Sequence, residues 1–175
     1  MSVKQGPKAL PTEKVQASYK KLSLAAKSLN TASDEMGKAI SILDAALQKL
    51  NLGVSAWVLL SGNENQETND WWSRSLGYAR IGDRWGIALR KAEGNFAFPE
   101  ADSVESWLFN EGPRWMRTEA VGKIPELLVA LQKQAEDTTK QITEKTAQVY
   151  ELAAAMSDAG EEAQFAEEKT HARPA

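Results

Sequence analysis

The stretch LGYARIGDRWGIALRK, residues 76–91, decides how the centre of this chain folds. Gly82-Asp83 is a two-residue turn of the kind whose twist matches its flanking strands. With Ile81 opposite Arg84, a register follows for strands at 72–81 and 84–91. Arg80 faces Trp85, Tyr78 faces Ile87 and Leu76 faces Leu89 on one surface. Ala79 faces Gly86, and Gly77 faces Ala88, on the other. The bulky surface suits a core, with Arg80 over Trp85 as an expected cation–π pair. The smooth surface permits close approach, and a helix of the same chain is its expected cover.

Upstream, VSAWVLL at 54–60 alternates Val54, Ala56, Val58 and Leu60, which predicts a further strand. SGNENQETND at 61–70 reads as a polar loop. Its Asn63, Asn65, Glu67 and Asn69 alternate oxygen side chains as calcium loops do, but the turn glycine and closing bidentate Glu are missing. A solvated loop is therefore expected. Downstream, residues 95–112 read as an acidic connection with a short helix near 102–109. PRWMRTEAVGKI, residues 113–124, predicts another short helix starting at Pro113, with a bend at Ile124-Pro125. Trp107, Trp115, Met116 and Val121 are expected to close over the sheet.

This centre lies between two Trp-free arms, because all six Trp fall between Trp57 and Trp115. The first arm starts at Thr12 as N-cap and stops at Asn51-Leu52-Gly53, where Asn and Gly tolerate a left-handed cap. Val15, Leu22, Leu29, Met36, Leu43 and Leu50 repeat by seven, and Tyr19, Ala26, Ser33, Ile40 and Leu47 follow four residues later. That is a coiled-coil seam. Ser18, Ala25, Ala32, Ala39 and Ala46 flank it with small residues, which favours close antiparallel packing over a charge-specified parallel dimer. The second arm opens at Pro125. Val121, Leu128, Ala135, Ile142, Val149 and Met156 repeat by seven, with Ile124, Leu131, Thr138, Lys145 and Leu152 three residues later. Antiparallel pairing of the arms would bring Thr138, Ile142 and Lys145 near Asn30, Ser33 and Met36.

The expected fold is α+β: two long antiparallel coiled-coil helices with an inserted small three-stranded antiparallel sheet and a short helix. The expected division is a mobile N-terminus at 1–11, coiled-coil arm 1 at 12–53, a sheet-containing head at 54–124, coiled-coil arm 2 at 125–157 and an acidic mobile tail at 158–175. A length of 175 residues suits one ordinary domain.

Chemistry is constrained by what the composition lacks. The formal net charge of −3 gives no global pull toward nucleic acid or anionic membrane. The absence of Cys removes disulfides, thiolate metal sites and cysteine nucleophiles, and it suits a reducing cytoplasm. No apolar run follows the N-terminal lysines as a secretory signal would require, and none approaches the ~20 residues of a membrane helix. His171 is the one histidine, in the acidic tail, so neither a Ser-His arrangement nor a His-based metal site can be assembled around it. Gly77, Gly82 and Gly86 belong to a hairpin and form no phosphate loop. The paired acids Glu161-Glu162 and Glu167-Glu168 read as solvation. No catalytic residue, cofactor or metal ligand is assigned.

What remains is a basic, aromatic head. Arg74, Tyr78, Arg80, Arg84, Trp85, Arg90, Arg114 and Arg117 are the candidate partner-binding residues, with Trp71, Trp72, Lys91 and Lys123 beside them in sequence. The expected function is a non-enzymatic coiled-coil interaction or scaffold protein. It would be homo-oligomeric and cytoplasmic, with a protein partner at the head and no membrane role. The alternative is a small nucleic-acid-associated accessory protein, because arginine with exposed aromatics can bind phosphates and stack bases.

Overall fold

The computed structural model describes the backbone of residues 12–171 and the side chains of residues 12–157. Helix α1 spans Thr12–Lys49. Strands β1 (Ala56–Asn65), β2 (Asp70–Ile81), β3 (Arg84–Asn95) and β4 (Ser103–Leu108) follow, then helices α2 (Arg114–Val121) and α3 (Ile124–His171). Short 3-10 turns at Pro99–Ala101 and Phe109–Glu111 flank β4.

The β2–β3 hairpin has the register expected from its turn. Ile81 pairs with Arg84, Tyr78 with Ile87, Leu76 with Leu89 and Gly77 with Ala88. Gly82 carries the turn's positive φ of 58°, which glycine adopts without Cβ strain. The pairing runs beyond the expected ends, to Asp70 opposite Asn95.

The sheet has four strands in the order β1-β2-β3-β4, all antiparallel, and not three. The segment expected as a helix near 102–109 is β4. It sets Trp107 opposite Leu89 and Glu105 opposite Lys91, so an apolar pair and an opposite-charge pair stand along this edge. Most of the expected loop at 61–70 is also strand. Ser61–Asn65 pairs with Asp70–Arg74 after a bulge between Leu59 and Ser61. The remaining turn is tied by Asn65, whose Oδ1 accepts the backbone N–H of Glu67 at 3.0 Å. Asn69, at φ 59°, completes it. The Asn65 oxygen that resembled a calcium ligand thus serves the turn.

The bulky hairpin surface is the core face. Leu76, Tyr78, Ile87 and Leu89 pack with Ile40 and Leu47 of α1, Phe109, Met116 and Ala120, and Leu127 and Leu131 of α3. Each large aliphatic or aromatic side chain buried there contributes roughly 1.5–3 kcal/mol. Met116 closes over the sheet as expected, whereas Trp115 and Val121 stay exposed. The expected Arg80–Trp85 cation–π pair is not the contact formed. Trp85 stacks on Tyr78 at a centroid distance of 5.7 Å, and Arg80 turns to Asp83 at 3.6 Å. A ring-on-ring contact needs no desolvation of a guanidinium, and Arg80 at the hairpin tip keeps its hydration.

The arms do not pair as a coiled coil. Val15, Tyr19, Leu22 and Leu29 of α1 and Ile142, Val149, Leu152 and Met156 of α3 are exposed, so the two seams do not meet. The stripe that α1 turns inward is Ser33, Gly37, Ile40 and Leu47, rotated from the Leu29-Met36-Leu43 row. Its polar and small residues are taken by the head. Arg114 donates to Asn30 Oδ1 at 3.0 Å and Arg117 to Ser33 Oγ at 3.0 Å. Asn110 donates to the Gly37 carbonyl at 3.2 Å. A Cβ at Gly37 would stand 3.1 Å from Asn110 Oδ1, so glycine lets this contact close. Asn30 and Ser33, expected beside the second arm, are occupied by α2. Residues 1–11 and 172–175 lie outside the described residues; α3 runs through the expected tail as far as His171.

The smooth hairpin side is met by helix α1 at Gly86 and by a tryptophan of β1 at Gly77. A Cβ on Gly77 would stand 2.3 Å from the Trp57 ring, which lies over it from β1, and Arg90 stacks on that indole at 4.2 Å. Gly86 instead faces Asp44 of α1 and Leu108 of β4.

Candidate functional site

A cleft of ≈ 390 Å³ opens where the C-terminal end of α1 meets the hairpin. It is lined by Asp44, Gln48, Tyr78, Arg84 and Trp85, with the Asn51–Gly53 turn and Leu108 at its rim. The sequence builds it in three steps. Asn51 and Gly53 take positive φ and stop α1, which puts the turn at its C-terminal end on the cleft's rim. The hairpin register sets Tyr78 and Trp85 side by side on the core face. Gly86 leaves room for a carboxylate, since a Cβ there would be 2.9 Å from Asp44 Oδ2.

Asp44 is fixed from two sides. Its Oδ1 accepts the Ile87 backbone N–H at 2.9 Å, and Gln48 Nε2 donates to Oδ2 at 3.4 Å. Gln48 also donates to the Trp85 carbonyl at 3.0 Å, which ties α1 to the hairpin. Asp44 has no cationic partner among the described residues. Burial pushes its carboxyl above the usual 3.8, opposed by the Ile87 N–H. Tyr78 is 2% exposed, and its phenol is pushed up by burial and then by the Asp44 charge. Arg84 is held by the carboxylate of Glu111.

The structure divides the sequence-derived candidates among separate places. Tyr78, Arg84 and Trp85 meet at the cleft. Arg74, Arg114 and Arg117 form the joint with α2. Arg74 lies between Trp72 and Trp115, 4.6 and 4.4 Å from their ring centroids, and 3.8 Å from Glu119. Arg80 is at the hairpin tip, and Arg90 is on the far side with Trp57. Each of these arginines therefore has a partner within the chain. Asp44 and Gln48 were not singled out from the sequence. The signal available was Asp44 on the same helical row as Ile40 and Leu47, combined with an unexplained Gly86.

Among the described residues no helix is long and apolar enough to cross a membrane. The side chain of His171 lies outside the described residues. The chain matches no protein-family model, no curated protein and no solved structure.

Proposed function

We propose that this chain is a non-enzymatic interaction protein that self-associates through its helical arms and presents the sheet head as a recognition end. The observation that carries the reading is the pair of exposed seams. Residues 12–32 of α1 and 139–157 of α3 are exposed throughout, yet apolar residues recur along both. A lone helix of about 21 residues with an apolar stripe has little to hold it in water. Some partner is needed, and a second copy offers a matching exposed apolar seam. Residues 12–32 carry four lysines and one glutamate, and the α3 seam at 139–157 is balanced, with two acids and two lysines. The α1 seam of one copy and the α3 seam of the other therefore meet without net like-charge repulsion, and a twofold axis repeats the contact. Ser18, Ala25 and Ala32 beside the α1 seam allow close approach of a partner helix.

The energetics are adequate. Val15, Tyr19, Leu22 and Leu29 against Ile142, Val149, Leu152 and Met156 occur twice in such a dimer. Even half of the roughly 1.5–3 kcal/mol for each buried side chain meets an association cost of about 4–15 kcal/mol. The absence of cysteine suits the reducing cytoplasm, where this reading puts the protein.

The test is Leu22→Glu with Leu29→Glu, and separately Ile142→Glu with Val149→Glu, followed by light scattering and thermal unfolding. Both pairs are expected to yield a monomer whose head melts as the parent does. A parent that is already monomeric removes the reading. Salt-sensitive nucleic-acid binding, lost in Arg90→Ala or Arg114→Ala, would replace it with the nucleic-acid alternative.

A further inference from the structure

The cleft at the end of α1 has the makings of a cation site. Its floor holds a carboxylate that accepts two hydrogen bonds and, among the described residues, meets no cation. A carboxylate removed from bulk water favours a positive partner, and the desolvation that raises the Asp44 carboxyl marks that unmet demand. The wall is the stacked Tyr78–Trp85 pair, and ring faces attract ammonium groups. The rim is the C-terminal end of the 38-residue α1, the negative pole of its peptide dipoles. Arg84 is the opposing charge at the lining, and Glu111 engages it. Asp44 and Glu111 therefore outnumber Arg84 around the adjoining hollow that also contains Ser41 and Asn110.

We propose that this cleft binds an alkylammonium group, placed between the Asp44 carboxylate and the Trp85 indole. A cavity of ≈ 390 Å³ accepts a chain the size of a lysine side chain with its ammonium at the floor. A lysine side chain of a bound polypeptide and a free aliphatic amine present the same chemistry. An alkylammonium suits the site better than an anion, which would face the Asp44 carboxylate near the negative end of the α1 dipole.

The experiment titrates n-butylammonium into the ¹⁵N-labelled full-length protein and follows the Trp85 indole N–H and the Ile87 amide. n-Butanol serves as the uncharged isostere. Saturable shifts at both groups with n-butylammonium, and none with n-butanol, are expected. Asp44→Asn keeps the shape, so it should weaken the response roughly tenfold or more. Trp85→Leu keeps an apolar wall without the π face, and it should weaken the response by about five- to tenfold. Thermal melts of both variants confirm folding. A lysine-containing peptide that binds more tightly than n-butylammonium places the group on a polypeptide, and a diamine that does so places it on a free amine. Equal shifts with n-butanol, no shift at Ile87, or an undiminished response in folded Asp44→Asn overturns the proposal.

Discussion

Gly86→Ala probes the contact that shapes the cleft. A Cβ at position 86 would be 2.9 Å from Asp44 Oδ2, 3.2 Å from Oδ1 and 3.1 Å from Leu108 Cδ2. The end of Leu108 can rotate away. The Asp44 carboxylate has less freedom, because its Oδ1 holds the Ile87 N–H at 2.9 Å. Making room stretches or breaks that bond. A hydrogen bond to a charged acceptor is worth about 1.5–3 kcal/mol. Alanine in place of glycine within a strand returns roughly 0.5–1 kcal/mol. The expected net destabilisation is about 1–2 kcal/mol. Urea unfolding of the parent, Gly86→Ala, Asp44→Ala and the double variant forms a cycle that isolates the contact. In the Asp44→Ala background the new methyl meets no carboxylate and only the alanine gain remains, so the cost should change sign, a coupling of about 1.5–3 kcal/mol. Equal costs in the two backgrounds would refute the placement of Asp44 against Gly86.

Gly77→Ala should destabilise by roughly 2–3 kcal/mol, because its Cβ would overlap the Trp57 ring and approach the Ala56 carbonyl at 2.8 Å. A neutral result in chemical denaturation removes Trp57 from the smooth face. Arg74→Lys keeps the charge near Glu119 but loses the planar stack between Trp72 and Trp115. A loss of about 0.5–1.5 kcal/mol with altered tryptophan emission is expected, and unchanged emission contradicts the sandwich. The raised Asp44 carboxyl gives a signed pH dependence. The native state retains a proton that the unfolded chain releases near 3.8, so Asp44's contribution to stability falls as pH rises from there through the higher native value. Asp44→Asn should remove that fall; stability–pH profiles that run parallel for the parent and Asp44→Asn contradict it.

The hairpin was legible because two signals agreed: a Gly-Asp turn and a two-residue alternation set one register, and β2 and β3 adopt it. The stop of α1 was legible from Asn51 and Gly53, both at positive φ. β4 was not, because Ser103–Glu105 are exposed and the strand exists through its pairing with β3, not through its own burial. The heptad count found real repeats but could not say which row faces the head. Leu29 and Leu43 looked like core and are exposed, whereas Ser33, Ile40 and Leu47 of the other seam row are buried with Gly37, which the repeat did not include; Asn110 and Arg117 need short side chains beside them. Asp44 read as one more helix-surface acid. Its role depends on Gly86, more than forty residues away, a pairing that neither periodicity nor spacing exposes.

Sedimentation equilibrium of the full-length protein reads out whether the exposed arms pair between copies. The chain mass is 19.2 kDa. The predicted result is a concentration-dependent equilibrium approaching twice that mass. A single 19.2 kDa species at every concentration and ionic strength would contradict it.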